Sequence, residues 1–157
     1  MKKLIPLFSL LGVLLFASCG IGTSDSDYSP QMTINSVSVN GVTVSSVDTI
    51  KVGDVLLING TATGVSKPLT TVQITNDTTY SKISFPDISS LDASVLNNGK
   101  TDVSKGYFYF YGLNIYSFTF NMQYVATKAT SGTKLSFIVS STSQYSPTTF
   151  TVNLPAK

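Results

Sequence analysis

The chain has no histidine, glutamate, arginine or tryptophan: all ten cations are lysine, all eight anions are aspartate, and there is one cysteine. These absences exclude whole classes of chemistry. Without His and Glu the commonest general bases and the commonest metal ligand are missing, and without Arg so is the planar fork that grips phosphate. Charged residues make up only 11% of the 157 positions, far from the composition of a disordered chain, so a packed domain is expected. The length suits a single domain. What the chain does have is hydroxyl: Ser and Thr supply 43 residues, against six Ala.

The first residues, MKKLIPLFSLLGVLLFASC, read as an export signal spanning 1–18. Lys2 and Lys3 form a basic start, and Leu4 to Phe16 form an apolar run of 13 residues. That is the length of a signal-peptide core rather than the roughly 20 residues of a membrane span. The run ends in Phe16-Ala17-Ser18-Cys19, which resembles a bacterial lipobox, with Phe in place of the usual Leu and Ser in place of Gly or Ala before the cysteine. The resemblance implies that Cys19 is lipidated and becomes the mature N-terminus; the alternative is a plain secretory signal or an uncleaved anchor. Two or more acyl chains, each contributing ~0.8 kcal/mol per buried CH₂, hold a protein stably on a membrane. The body then has no thiol and needs neither disulfides nor a reducing compartment. Gly20 after the cysteine favours the outer membrane by analogy with lipoprotein sorting. Residues 19–31 read as a flexible tether, GIGTSDSDYSP being polar and rich in Gly and Ser. Asp25 and Asp27 loosely resemble the acidic export signal of Bacteroidetes-type surface lipoproteins, which favours display at the cell surface over a periplasm-facing anchor.

From Met32 onward short alternating apolar runs recur between Gly, Asn, Asp, Ser and Pro. Met32 to Val39 leads into Asn40-Gly41, a strong hairpin signal, and Val42 to Val44. Thr49 to Val52 reads as a short strand, Val55 to Ala62 as a longer one. In Leu69 to Thr75, Leu69 stands out of step with Val72 and Ile74. Tyr80 to Phe85 is a further candidate, with Ile83 and Phe85 on one face. Residues 89–96 could form a short helix with Ser89 or Ser90 as N-cap. Strand character returns at Tyr107 to Tyr111 and at Ile115 to Ala126, where Tyr116, Phe118, Phe120, Met122, Tyr124 and Ala126 share one face. Leu135, Phe137 and Val139 alternate, and Phe150, Val152 and Leu154 mark the last strand. Seven to nine strands with little helical pattern predict two packed antiparallel sheets over residues 32–157.

The segments MTINSVSVNG, DTIKVGDVLLINGTATG and the closing hairpin TSGTKLSFIVSSTSQYSPTTFTVNLP resemble the immunoglobulin-like domains of small Bacteroidetes-type lipoproteins. The resemblance covers Met32 to Pro155 and is architectural. It implies an immunoglobulin-like β-sandwich; the Cys-Trp-Cys core of antibody domains is absent.

Candidate site residues are few. In Tyr107-Phe108-Tyr109-Phe110-Tyr111 the alternation sends Tyr107, Tyr109 and Tyr111 to one face and Phe108 and Phe110 to the other. The Phe face suits a core. The Tyr face either covers an edge or offers a stacking platform for sugar rings or a protein partner. Asp87, Asp92 and Asp102, with Asn97 and Asn98, concentrate oxygen in the central segment, but the spacing matches no EF-hand, and turns attract Asp and Asn for backbone reasons alone. No metal, cofactor or catalytic residue is therefore assigned. Asp48-Thr49-Ile50 and Asp77-Thr78-Thr79 resemble the acceptor pattern of Bacteroidetes-type O-glycosylation, which makes Thr49 and Thr78 candidate acceptors. Residues 19–157 keep eight Lys and eight Asp, with no basic stripe for nucleic acid. The expectation is a non-enzymatic, lipid-anchored envelope protein that binds a glycan or protein ligand. The alternative is a pilin-like assembly or adhesion subunit that works by strand addition.

Overall fold

The computed structural model describes residues 28–88, 93–145 and 147–157. The export signal, Cys19, Asp25, Asp27, Asp92 and the start of the expected helix lie outside these residues.

Among the described residues nine strands form two antiparallel sheets. One contains β1 (Gln31–Val39), β2 (Val42–Val44), β3 (Val55–Thr63), β5 (Ser81–Ser84) and β7 (Ser117–Ala126), in the order β2-β1-β3-β7-β5. The other contains β4 (Leu69–Asn76), β6 (Tyr107–Tyr109), β8 (Thr130–Ser141) and β9 (Thr148–Ala156), in the order β6-β4-β8-β9. Without the two short strands, β1-β3-β7-β5 faces β4-β8-β9. That is the immunoglobulin-like arrangement, with strands one, two, five and four in one sheet and strands three, six and seven in the other. The expected fold class is therefore the observed one. Among the described residues helix is limited to one turn, α1 (Ala93–Leu96), a 3₁₀ turn at Val103–Lys105 and 3₁₀ backbone at Ile88. No helix among them is long and apolar enough to cross a membrane.

Alternation puts the core where the sequence pattern asks for it. Phe118, Phe120, Met122, Tyr124 and Ala126 of β7 are all buried, facing Leu135, Phe137 and Val139 of β8. Phe120 and Phe137 stack across the sheets with centroids 6.0 Å apart. Gly60 of β3 makes room for this packing, because a Cβ there would lie 2.6 Å from the Phe120 ring. Two of the three register shifts move core residues. The register slips at Asn35, so that Ile34 and Val37, three apart, both face inward. It slips again between Leu69 and Thr71, which brings Leu69 into the core in spite of its odd spacing from Val72. The extra carbonyl, that of Thr70, accepts from Phe110 N–H at 2.8 Å.

Two local expectations need correction. Thr49–Val52 is not a strand: Ile50 alone forms a parallel bridge to Ala156 and enters the core, while Val52 is exposed. Tyr116 does not share the buried face of β7 but is 48% exposed. Gly112 and Asn114 take positive φ, at 85° and 51°, and so break the alternation before the strand begins at Ser117.

Candidate functional site

The aromatic run splits as its alternation requires. Phe108 and Phe110 are fully buried, both in contact with Phe118, with centroids 4.8 and 5.1 Å away. Phe85 meets Phe108 edge-on at 5.1 Å. The strand itself is short, and its outer edge is covered. The Asn98 amide donates to Tyr109 O at 2.8 Å, Thr101 Oγ1 accepts from Tyr109 N–H at 3.0 Å, and the backbones of Asp102 and Tyr107 pair.

The three tyrosines are consequently unequal. Tyr107 and Tyr109 are half-buried, whereas Tyr111 lies beyond the strand and is 63% exposed. The Tyr109 and Tyr111 rings sit 6.4 Å apart with planes inclined at 47°, an open notch rather than a flat shelf. Lys100 Nζ lies 4.6 Å from the centre of the Tyr109 ring and donates to its hydroxyl at 3.3 Å. The edge thus offers one free ring, one braced ring and one ammonium. This combination suits a neutral or acidic sugar, or a peptide.

A second feature lies at the opposite margin of the sandwich, where the sheets part between β1 and β9. A cavity of about 250 Å³ opens there. Ile34, Val37, Leu56, Ile58, Phe137 and Val152 line it. Ser45, Ser46 and Val47, on the way from β2 to the Ile50 bridge, contribute to the same lining. β9 closes its sheet, and beyond the Ile50 bridge no other strand among the described residues pairs with its outer side. Sequence reasoning missed this site. Its residues come from five separate segments and each reads as ordinary core.

Four of the described aspartates, Asp54, Asp77, Asp87 and Asp102, accept hydrogen bonds. The Lys51 backbone N–H and the Asn40 amide both donate to Asp54, at 2.8 Å each, and hold its carboxyl below the usual carboxylate range. The Ser104 hydroxyl and then Lys105 do the same for Asp102, whose carboxylate pairs with Lys105 Nζ at 3.0 Å. Asp77 Oδ1 accepts from Thr79 N–H, and Asp87 accepts from Asn121. Asn98 closes its own turn, accepting from the Lys100 and Thr101 N–H groups. No group of three His, Cys, Asp or Glu able to hold a metal ion occurs among the described residues. The candidate acceptors Thr49 and Thr78 are both exposed, Thr78 at the tip of the Asp77–Tyr80 turn.

Four further aromatic or apolar side chains stand exposed on loops: Tyr28, Val65, Tyr116 and Tyr145. They gather at one end of the sandwich. Tyr28 N–H donates to Ser66 Oγ at 3.1 Å, Gly64 N–H to Tyr116 O at 2.8 Å, and Thr142 N–H to Pro68 O at 2.9 Å. The only sequence signal for this grouping is the presence of Tyr in Ser-, Gly- and Pro-rich turns.

Compared with known proteins, the chain matches no family model, no curated protein and no solved structure.

Proposed function

We propose that the chain is a non-enzymatic protein of the cell envelope, held by lipid on Cys19 at the outer membrane and displayed at the surface. Its immunoglobulin-like domain serves as a binding or glycan-handling accessory module. The observation that carries this reading is the notch of Tyr109 and Tyr111 beside Lys100, on an edge whose backbone is already satisfied. The exposed Tyr111 ring is open to a ligand, with the braced Tyr109 ring and the Lys100 ammonium beside it. The non-enzymatic part is supported by the carboxylates of Asp54, Asp77 and Asp102, each turned into its own backbone turn. The test is a glycan array probed with the detergent-solubilised full chain. Binding to at least one sugar class is expected, with Tyr111→Ala weakening it by about 1 kcal/mol. A blank array, or Tyr111→Ala without effect, removes the glycan reading.

One observation favours a second reading, strand addition in an assembly. The unpaired outer side of β9 borders an apolar cavity, the arrangement an incoming strand with alternate apolar side chains would fill. Cross-linking from Thr149→Cys on β9 in intact cells would trap a neighbouring chain if this reading holds.

A further inference from the structure

Tyr28, Val65, Tyr116 and Tyr145 come from four segments that are distant in sequence, yet hydrogen bonds tie three of those segments together at the place where the N-terminal chain enters the domain. The fourth, the β8–β9 turn, is tied in through Thr142 to Pro68 and through Thr148 Oγ1 to Pro30 O. Exposures run from 37% for Val65 to 56% for Tyr28. Val65 is held at φ 59°, a conformation that costs a β-branched residue about 1–2 kcal/mol, with its side chain at the tip of the turn. In the described residues of 28–30, 64–68, 111–117 and 140–148, Lys67 is the single charged side chain. This end carries one cation and no anion, with exposed tyrosine rings set among Ser- and Thr-rich loops.

We infer that this end of the sandwich lies against a lipid bilayer, with Tyr28, Val65, Tyr116 and Tyr145 seated in the headgroup layer of the membrane that holds Cys19. The inference rests on the proposed acylation of Cys19. Eight residues lie between Cys19 and Tyr28, and the nine steps span at most roughly 30 Å. The tether therefore emerges at the aromatic end and keeps that end within reach of the lipid surface. Contact is then intramolecular, so a weak interfacial affinity suffices. Tyrosine is the side chain for this place, with an apolar body for the acyl boundary and a hydroxyl for the wet headgroups. Lys67 adds attraction to anionic lipid, its stem lying along the apolar surface. The Ser-rich backbone of the same loops limits the depth: the rings enter the interface, and the domain does not enter the hydrocarbon.

The test uses the full acylated chain in vesicles of phosphatidylcholine and phosphatidylglycerol. An environment-sensitive fluorophore is placed on Val65→Cys, and in a second protein on Lys51→Cys at the opposite end. Acylated Cys19 offers no competing thiol, and mass spectrometry of the N-terminus establishes its state. The label at 65 is expected to be shielded several-fold from iodide relative to the label at 51, and to be quenched by headgroup spin-labelled lipid. Tyr28→Ser, Tyr116→Ser and Tyr145→Ser together should return it to the level of position 51, with the melting temperature within about 6 °C of the wild type. Equal iodide access at 65 and 51 in the acylated protein overturns the membrane face and leaves the anchor standing. An unmodified Cys19 overturns the anchor, and the membrane face with it.

Discussion

The two ends of the sandwich are built on opposite principles. At the far end lie Lys51, Asp54, Asp77, Lys128 and Lys157, and the polar side chains there close the turns. Asn40 accepts from Val55 N–H and donates to Asp54, Asp54 accepts from Lys51 N–H, and Asp77 caps the turn to Ser81. At the tether end the closing bonds run mostly between backbones of neighbouring loops, as from Gly64 to Tyr116 and from Thr142 to Pro68. The difference concerns what is left over. The far end uses its distinctive side chains to fold, whereas the tether end folds without its tyrosine rings and leaves them for another purpose.

The largest effect that would sharpen this contrast comes from glycine. Gly64→Ala sets a Cβ 2.0 Å from the Lys67 carbonyl oxygen, so the turn that carries Val65 must open, at a cost of up to about 3 kcal/mol. Gly53→Ala at the far end meets nothing within 4 Å and bears only its φ of +92°, about 1–2 kcal/mol. Urea midpoints of the two variants measure the difference. An equal loss at both would mean that the tether-end turn relaxes freely.

Next in size is Tyr124. Among the described residues its buried hydroxyl has no well-formed hydrogen bond, although Ser81 lies near enough to act on it. Burial pushes its pKa up, Ser81 opposes this in part and Asp77 adds to it. Tyr124→Phe removes an unsatisfied group and should stabilise the protein by about 1 kcal/mol. The sign with pH follows. A folded pKa above the unfolded one favours the neutral form, so the contribution of neutral Tyr124 to wild-type stability is fully present below about pH 10 and is lost as pH rises through the folded pKa. Alkaline melting curves should show the wild type losing more stability above pH 10 than Tyr124→Phe does.

The same ends differ in acid. Asp54 has a lowered folded pKa, so its contribution is present above about pH 4 and is lost as pH falls through the folded value. Corrected for intrinsic rates, hydrogen exchange at Lys51 and Val55 N–H should accelerate below pH 4, while Gly64 and Thr142 N–H hold their protection. Asp54→Asn should abolish that acceleration. If the tether-end amides open in parallel, acid acts on the whole fold and the local account is wrong.

Legibility in the sequence follows the same division. The Asn40-Gly41 turn could be read directly: both residues take positive φ, 50° and 84°, as a primed hairpin turn requires. The buried face from Phe118 to Ala126 and the inward Phe108 and Phe110 were equally plain, because each depends on neighbours two apart. Leu69 signalled trouble by its spacing, but the bulge that resolves it depends on β8, some 70 residues on. Tyr116 was misread because a two-period pattern continues on paper through a loop that breaks it in space. The cavity beside β9 and the tyrosine end were not legible, since both are assembled from loops whose meeting is decided by strand order. Local chemistry could be read, and its convergence could not.

The smallest predicted effect is also the one on which the comparison turns. Tyr28→Ser, Tyr116→Ser and Tyr145→Ser each remove an exposed ring on a loop closed by other atoms, so each should change stability by no more than about 0.5 kcal/mol. For a chain of this size 1 kcal/mol corresponds to a shift of about 2–4 °C, so thermal melting resolves the sum. Asn40→Ala at the far end is the control. It removes the side-chain bonds to Asp54 and Val55 and leaves Ala at φ 50°, so it should cost more than the three tyrosines together. If the tyrosine variants prove as damaging as Asn40→Ala, the rings are part of the fold and the two ends are alike. If they melt with the wild type, the fold has no use for three tyrosines that it nevertheless holds at one end, and a surface outside the chain must account for them.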